Sequence, residues 1–434
     1  MKKTVLIAAA AIGVSFFLTA CFDKDDNEKA APKKVKEEKV EIAKDNNGEV
    51  YKLIKDGNIQ ELQKFIKPKN VNLIDSDGNN ALLLAAAEYN SGGVIEILLK
   101  AGANTEVKDK RGYTPLMIAV KKNYAQNALA LIRGGANVNA VYDKPYDDED
   151  KTTPLMYALS KLSTNEPVVI QALIDAGADV NAKNYVGNTP LLIAARDSWV
   201  KPENVEILVK SGANIEEKNK NGYTPLMISL QYGDDRSRVS LILIKAGADV
   251  NAAYDKPYDD EDKTTPLMYA VGKNAYNKAN IAQALIDAGA DVNAKNYAGD
   301  TPLLIAARYE LYPDVIDILL KAGANIEERS KNDFTPLFRA IANTAYPDIA
   351  VELIKNKADV NAVSGRDKIT PLMHAMQRDI SAEPHIVQAL IDYGADINAK
   401  DAAGRSVSDY SQKSYSKDKV KEYTQILLNA KNKK

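Results

Sequence analysis

The chain has 434 residues, 45% hydrophobic and 27% charged, with 57 basic and 59 acidic side chains. Such a length allows several packed domains, but a net charge of −2 leaves no basic footprint for nucleic acid. Two histidines and one cysteine exclude a zinc finger and any disulfide within the chain.

The chain starts with Lys2 and Lys3, followed by an apolar run from Val5 to Leu18. That run is shorter than the ~20 residues that span a bilayer. The residues Leu18-Thr19-Ala20-Cys21 then resemble the lipobox of bacterial lipoproteins. The resemblance implies cleavage before Cys21 and acylation of it, with two or more acyl chains for stable anchoring. An ordinary signal peptide or membrane anchor with an incidental cysteine is the other reading. Residues 1–20 are thus expected to be a signal peptide and 21–48 a lipidated cysteine with a charged, flexible tether. The tether has almost no apolar periodicity and reaches at most about 90 Å when extended. Loss of Lys2 and Lys3 would leave 55 basic against 59 acidic residues, a net charge of −4.

Residues 49–434 are expected to form one repeat domain. Val50 to Ile66 supplies a single apolar face through Leu53, Ile54, Ile59, Leu62, Phe65 and Ile66, with lysines on the other side, and so reads as a polar end cap. A complete unit runs from Gly187 to Asn214. Thr189 is an N-cap residue, Pro190 suits the first helical position, and Leu191, Ile193, Ala194 and Ala195 make an apolar face. Pro202 opens a second helix, which Gly212 ends. A unit of this size cannot bury its own face and needs copies on both sides.

The Thr-Pro pair recurs at Thr114, Thr153, Thr189, Thr224, Thr265, Thr301, Thr335 and Thr370, with Asn80 and Ser406 at two worn starts. Second helices end in Gly-Ala-Asn or Gly-Ala-Asp at Gly102, Gly135, Gly177, Gly212, Gly247, Gly289, Gly323 and Gly394. This pattern resembles the ankyrin repeat. The resemblance implies an all-α solenoid of about eleven helix–turn–helix units including caps, joined by hairpin fingers. Lys357 stands where the helix-ending glycine belongs. The histidine usual after Thr-Pro-Leu is replaced by Met117, Met156, Leu192, Met227, Met268, Leu304, Phe338 and Met373, so apolar packing is expected there. Trp199, in an interhelix connection, is expected to be half-buried.

A higher period of 105 to 112 residues, three units, lies above the first. Two fingers are longer than the rest and identical: Tyr142–Lys151 and Tyr254–Lys263 both read YDKPYDDEDK. Each carries five acids against two lysines, with four of the acids consecutive: Asp147, Asp148, Glu149 and Asp150, and Asp259, Asp260, Glu261 and Asp262. Three readings stay open: a solvated loop copied by duplication, a docking loop for a basic protein, or a cation site. Consecutive acids lack the spacing and glycine of an EF-hand.

The resemblance implies protein binding through finger tips and the exposed, concave side of the first helices. Here those positions include Lys110, Arg111, Tyr113, Lys121 and Lys122, then Tyr185, Val186, Asn188 and Arg196. Further along they include Lys220, Tyr223 and Tyr232, then Tyr297, Asp300, Arg308, Tyr309 and Phe334. Tyr and Arg are enriched at interface cores, although tyrosine is common throughout this chain, at 22 residues. His374 and His385 read as a packing and a surface residue. No nucleophile–base set, metal motif or cofactor motif is present, and Cys21 is consumed by lipid under the lipoprotein reading. The expectation is a monomeric, non-catalytic, lipid-anchored scaffold in a bacterial cell envelope, on the periplasmic face or the cell surface. It would bind a protein partner and contact the membrane through its anchor only. The alternative is a structural or adhesive envelope lipoprotein whose acidic fingers bind cations.

Overall fold

The computed structural model describes residues 47–74, 79–88, 90–143, 151–160, 166–197, 199–231, 237–254, 263–272, 278–309, 313–342, 347–377, 382–412 and 417–432. All of them lie in one compact unit. They contain 22 helices, two for each of eleven repeats. Repeats 1 to 3 pair Asn47–Lys55 with Ile59–Phe65, Ala81–Glu88 with Gly92–Lys100, and Pro115–Lys121 with Ala125–Arg133. Repeats 4 to 6 pair Pro154–Ala158 with Pro167–Asp175, Pro190–Arg196 with Pro202–Lys210, and Pro225–Gln231 with Ser237–Lys245. Repeats 7 to 9 pair Pro266–Val271 with Lys278–Asp287, Pro302–Tyr309 with Pro313–Lys321, and Pro336–Ala342 with Asp348–Lys355. Repeats 10 and 11 pair Pro371–Ala375 with Pro384–Asp392 and Val407–Ser411 with Lys417–Asn432.

Eight of the eleven first helices begin on a side-chain cap. The hydroxyls of Thr114, Thr153, Thr189, Thr224, Thr301 and Thr370 accept from the backbone N–H three residues on, at 3.3–3.4 Å. This satisfies one of the four orphan donors at a helix start, and the proline at the next position removes another. Asn80 makes the same cap at 2.9 Å to Leu83, and Ser406 forms a capping box with Asp409. Thr265 departs from the pattern: its hydroxyl is buried without a partner.

Second helices stop where a left-handed residue lets the chain turn back. The eight glycines in the Gly-Ala-Asn/Asp signature have φ between 81° and 93°. In repeat 5 the Gly212 N–H donates to Val209 O and the Ala213 N–H to Leu208 O, which closes the last turn. Lys357 takes the same turn at φ 69° without glycine's freedom.

Packing follows the repeat. First helices lie against first helices of adjacent repeats, and second against second. Leu191, Val205 and Leu208 in repeat 5 are fully buried, and each contributes about 1.5–3 kcal/mol of burial. Met117, Met156, Leu192, Met227, Met268, Leu304, Phe338 and Met373 are all buried, so apolar side chains fill the place of the absent histidine. Trp199 is 58% exposed, more than its connection position suggested. Asp197, two residues earlier, ends the helix in extended backbone. His374 is buried against Phe334 and Phe338, and His385 is exposed.

Fingers between repeats are hairpins closed by few bonds. Tyr142 N–H donates to Thr152 O at 3.0 Å, and Lys151 N–H to Tyr142 O at 2.7 Å. The second long finger repeats this with Tyr254, Thr264 and Lys263. Among the described residues there are three isolated bridges and no named strand. No helix of the described residues is long and apolar enough to cross a membrane.

Candidate functional site

The finger edge is tied together by a ladder of side chains. Asn72, Asn139, Asn181, Asn251, Asn293 and Asn361 each donate to a glycine carbonyl of the next repeat, at 2.8–3.1 Å. Each also accepts, at 2.7–2.9 Å, from the backbone N–H two residues beyond that glycine. At every third joint the asparagine is replaced by Glu106, Glu216 or Glu327. A carboxylate accepts but cannot donate. These three keep only the bond from Asn137, Asp249 or Asp359, at 2.7–2.9 Å. Burial raises the Glu327 carboxyl above its ordinary range.

Tyrosines also link the fingers, in two different ways. Tyr113 and Tyr223 turn inward and stack on Tyr142 and Tyr254 of the next finger, with centroids 4.7 and 4.6 Å apart. Lys121 sits over the Tyr113 ring at 4.4 Å and donates to its hydroxyl at 2.8 Å. Tyr113 is therefore only 8% exposed and Tyr223 half-buried. By contrast, Tyr185 and Tyr297 stand at finger tips, 42% and 49% exposed. Each carries a lysine of the following finger on its ring: Lys220 at 4.3 Å and Lys331 at 3.8 Å.

The remaining expected residues lie partly on the fingers and partly in the last turns of first helices. Lys110, Arg111, Arg196 and Arg308 are exposed. Arg111 lies 3.6 Å from Asp109 and over Tyr113 at 5.6 Å. Arg308 packs on the half-buried Tyr309 at 4.9 Å. Cys21, Tyr232 and the consecutive finger acids at 147–150 and 259–262 lie outside the described residues. Among the described residues no three His, Cys, Asp or Glu side chains gather as a metal group would.

Three positions read as exposed are buried instead: Tyr113, through its stack, and Asn188 and Asp300. Asn188 packs beneath its finger and accepts from the Asn219 amide at 3.4 Å. Asp300, its counterpart three repeats on, pairs with Arg339 at 2.5 Å, and both side chains are 11% exposed. Burial raises the Asp300 carboxyl, and the charges of Arg339 and Arg308 oppose that rise. Arg339 occupies the place of Ile118 and Ile228 in the earlier blocks. The tyrosine stacks, Lys331 and Arg339 escaped the sequence reading. Tyrosine before threonine at 113 and 223, followed by tyrosine at 142 and 254, was the signal that could have revealed the stacks.

A family model described as "Ankyrin repeats (3 copies)" matches residues 50–142, 94–184, 155–254, 200–296, 253–330 and 303–401. The chain is 33% identical over 135 residues to the nuclear factor NF-kappa-B p105 subunit of Gallus gallus, covering 30% of this chain and 13% of that protein. It is 33% identical over 141 residues to the mouse ankyrin repeat and SOCS box protein 6, covering 32% of this chain and 31% of that protein. The chain thus spans less than a third of the length of each of these two relatives. Among solved structures, the human ASB11 ankyrin repeat domain aligns at a TM-score of 0.45 and 23% identity, covering 56% of this chain and 98% of that one.

Proposed function

Because the chain belongs to the ankyrin-repeat family, we propose that it is a non-catalytic scaffold that binds a protein partner along its finger edge and first-helix face. The observation that carries this is the division of labour among the tyrosines. Tyr113, Tyr142 and Tyr254 are spent on packing, whereas Tyr185 and Tyr297 remain at the tips with large exposed rings. Exposed tyrosine on a rigid scaffold supplies contact area at little entropic cost. The basic side chains of Lys110 and Arg111 line the same edge, and Arg196 and Arg308 are exposed in the last turn of their first helices.

The scaffold is proposed to be tethered to a bacterial envelope membrane through acylated Cys21, since the residues Leu18 to Cys21 resemble a lipobox. Replacing Cys21 with Ala should release the protein from membranes or block its maturation; unchanged partition with normal processing would remove the tether from this reading. The long fingers, with five acids against two lysines each, would speed encounter with a basic surface elsewhere on that partner and lose that effect in salt. Calorimetry with calcium separates this from the adhesive, cation-binding alternative, which alone requires a stoichiometric heat. Crosslinking in cells, followed by identification of the captured protein, tests the scaffold reading itself.

A further inference from the structure

We propose that the finger edge carries two equivalent docking points three repeats apart, Tyr185 with Lys220 and Tyr297 with Lys331, for a partner presenting two acidic–apolar segments. This rests on the partner-binding reading and specifies its chemistry. The two points share their construction. Tyr185 and Tyr297 project from the tips between repeats 4 and 5 and between repeats 7 and 8. Two residues on, Gly187 and Gly299 turn at φ 78° and 74°. A Cβ there would come within 3.1 and 3.2 Å of the backbone nitrogen and Cγ of Lys220 and Lys331. The absent side chain lets the next finger close in and lays each ammonium on the tyrosine ring.

Their charges distinguish them from their neighbours. Lys183 pairs with Glu217 and Lys295 with Glu328, both at 2.8 Å, and Arg329 pairs with Asp333 at 2.9 Å. Among the described residues no carboxylate pairs with Lys220 or Lys331, although both are exposed. A ring on one side and no carboxylate on the other leaves each ammonium ready for an incoming anion. The exposed tyrosine beside it suits an aromatic, aliphatic or proline side chain.

The surroundings have diverged while the pairs have not. Between the two blocks Asn188 becomes Asp300, Lys218 becomes Arg329, Asn219 becomes Ser330 and Gly222 becomes Asp333. The tyrosine, the glycine and the lysine are kept, and so is their geometry. Ser76 in the first block and Ala402 in the last stand where the tyrosine would be, so the arrangement occurs twice. Three repeats at the 8–10 Å spacing of packed helices put the points about 30 Å apart. One partner engaging both gains from effective concentration.

The test uses the full chain and a random twelve-residue peptide library displayed on phage. Selection should enrich peptides with two or more acids beside an aromatic or proline. Joining Lys220→Gln to Lys331→Gln should weaken a selected peptide at least tenfold, and Lys→Arg at both sites should preserve binding. Two copies of that peptide on a Gly/Ser spacer of about 30 residues, whose mean span matches the separation, should bind at least tenfold tighter than one copy. Tyr185→Ala alone should remove that gain while leaving the thermal midpoint unchanged. Basic or neutral consensus peptides, binding indifferent to the lysine changes, or a tandem peptide without gain would each overturn the proposal. A partner captured in cells that still binds the Tyr185→Ala/Tyr297→Ala protein would overturn it too, while leaving the scaffold reading intact.

Discussion

Tyr113 lies face to face with Tyr142 across adjacent fingers, ring centroids 4.7 Å apart, and Tyr223 repeats the contact with Tyr254 at 4.6 Å. Each stack braces the base of a long finger, because Tyr142 and Tyr254 also make the closing backbone bonds of those hairpins. In the third block Phe334 instead packs near Phe338 and His374, with centroids 6.1 Å away in both cases. Loss of a buried ring removes its burial and the aromatic pairing together. Tyr142→Ala or Tyr254→Ala should therefore cost about 3 kcal/mol in urea unfolding. An unchanged midpoint would show that the stacks carry no load.

The asparagine ladder predicts uneven joints. Asn181 holds Gly212 O at 3.1 Å and Asn214 N at 2.8 Å, while Glu216 holds only Asp249 N at 2.8 Å. Asn181→Ala should cost about 1–2 kcal/mol, and Glu216→Ala about half of that. Stability in a repeat array is a sum of units and interfaces, so hydrogen exchange should localise each loss to its own joint. Equal effects from the two substitutions would show that the donated bond adds nothing.

The last repeat carries a pH dependence centred on Asp401. Its buried carboxylate accepts from Tyr410 Oη at 2.7 Å, from Arg405 Nε at 2.6 Å, and from the N–H groups of Arg405 and Ala403. Burial pushes this group up, but the hydrogen bonds outweigh burial and hold it at about 2, below its ordinary 3.8. A depressed carboxylate stabilises fully above its unfolded value and loses that contribution as the pH falls through its folded value. The gap between wild type and Asp401→Asn should thus be constant above about pH 5 and shrink towards pH 2. Burial, then the bond to Asp401, pushes Tyr410 up to about 12. Stability from that group is present below its ordinary 10.0 and fades as the pH rises through 12. Thermal melts across pH check both ends, and a wild-type–variant gap that widens in acid would contradict the first.

Lys357 turns left-handed at φ 69° where eight sister positions are glycine. Side chains in that conformation cost about 1–2 kcal/mol, partly offset by glycine's greater freedom when unfolded. Lys357→Gly should stabilise by up to about 1 kcal/mol in chemical denaturation; a clear loss would mean that the lysine side chain supports the turn.

Helix starts, turns and repeat count were legible in the sequence because they depend on local chemistry. Thr189 before Pro190 caps wherever it occurs, and Gly212 turns the chain whatever packs against it. Lys357 was legible for the same reason. The finger edge was harder to read because it depends on contacts between residues about 30 to 40 apart. Tyr113 and Tyr185 are both tyrosines near finger tips. Only the position of Tyr142 in the next finger makes one a pillar and leaves the other exposed. Asp300 read as a surface acid until Arg339, one repeat on, was seen to cover it.

In the proposed function a protein partner docks on the finger edge. Photo-crosslinking residues placed at Tyr185, at Tyr297 and, as a control, at Val168 test it in cells. Val168 is 55% exposed and starts a second helix, at the edge opposite the fingers. The expected result is the same protein adduct from Tyr185 and Tyr297 and none from Val168. An adduct from Val168 alone, or none from either tyrosine with the protein folded and abundant, would contradict it.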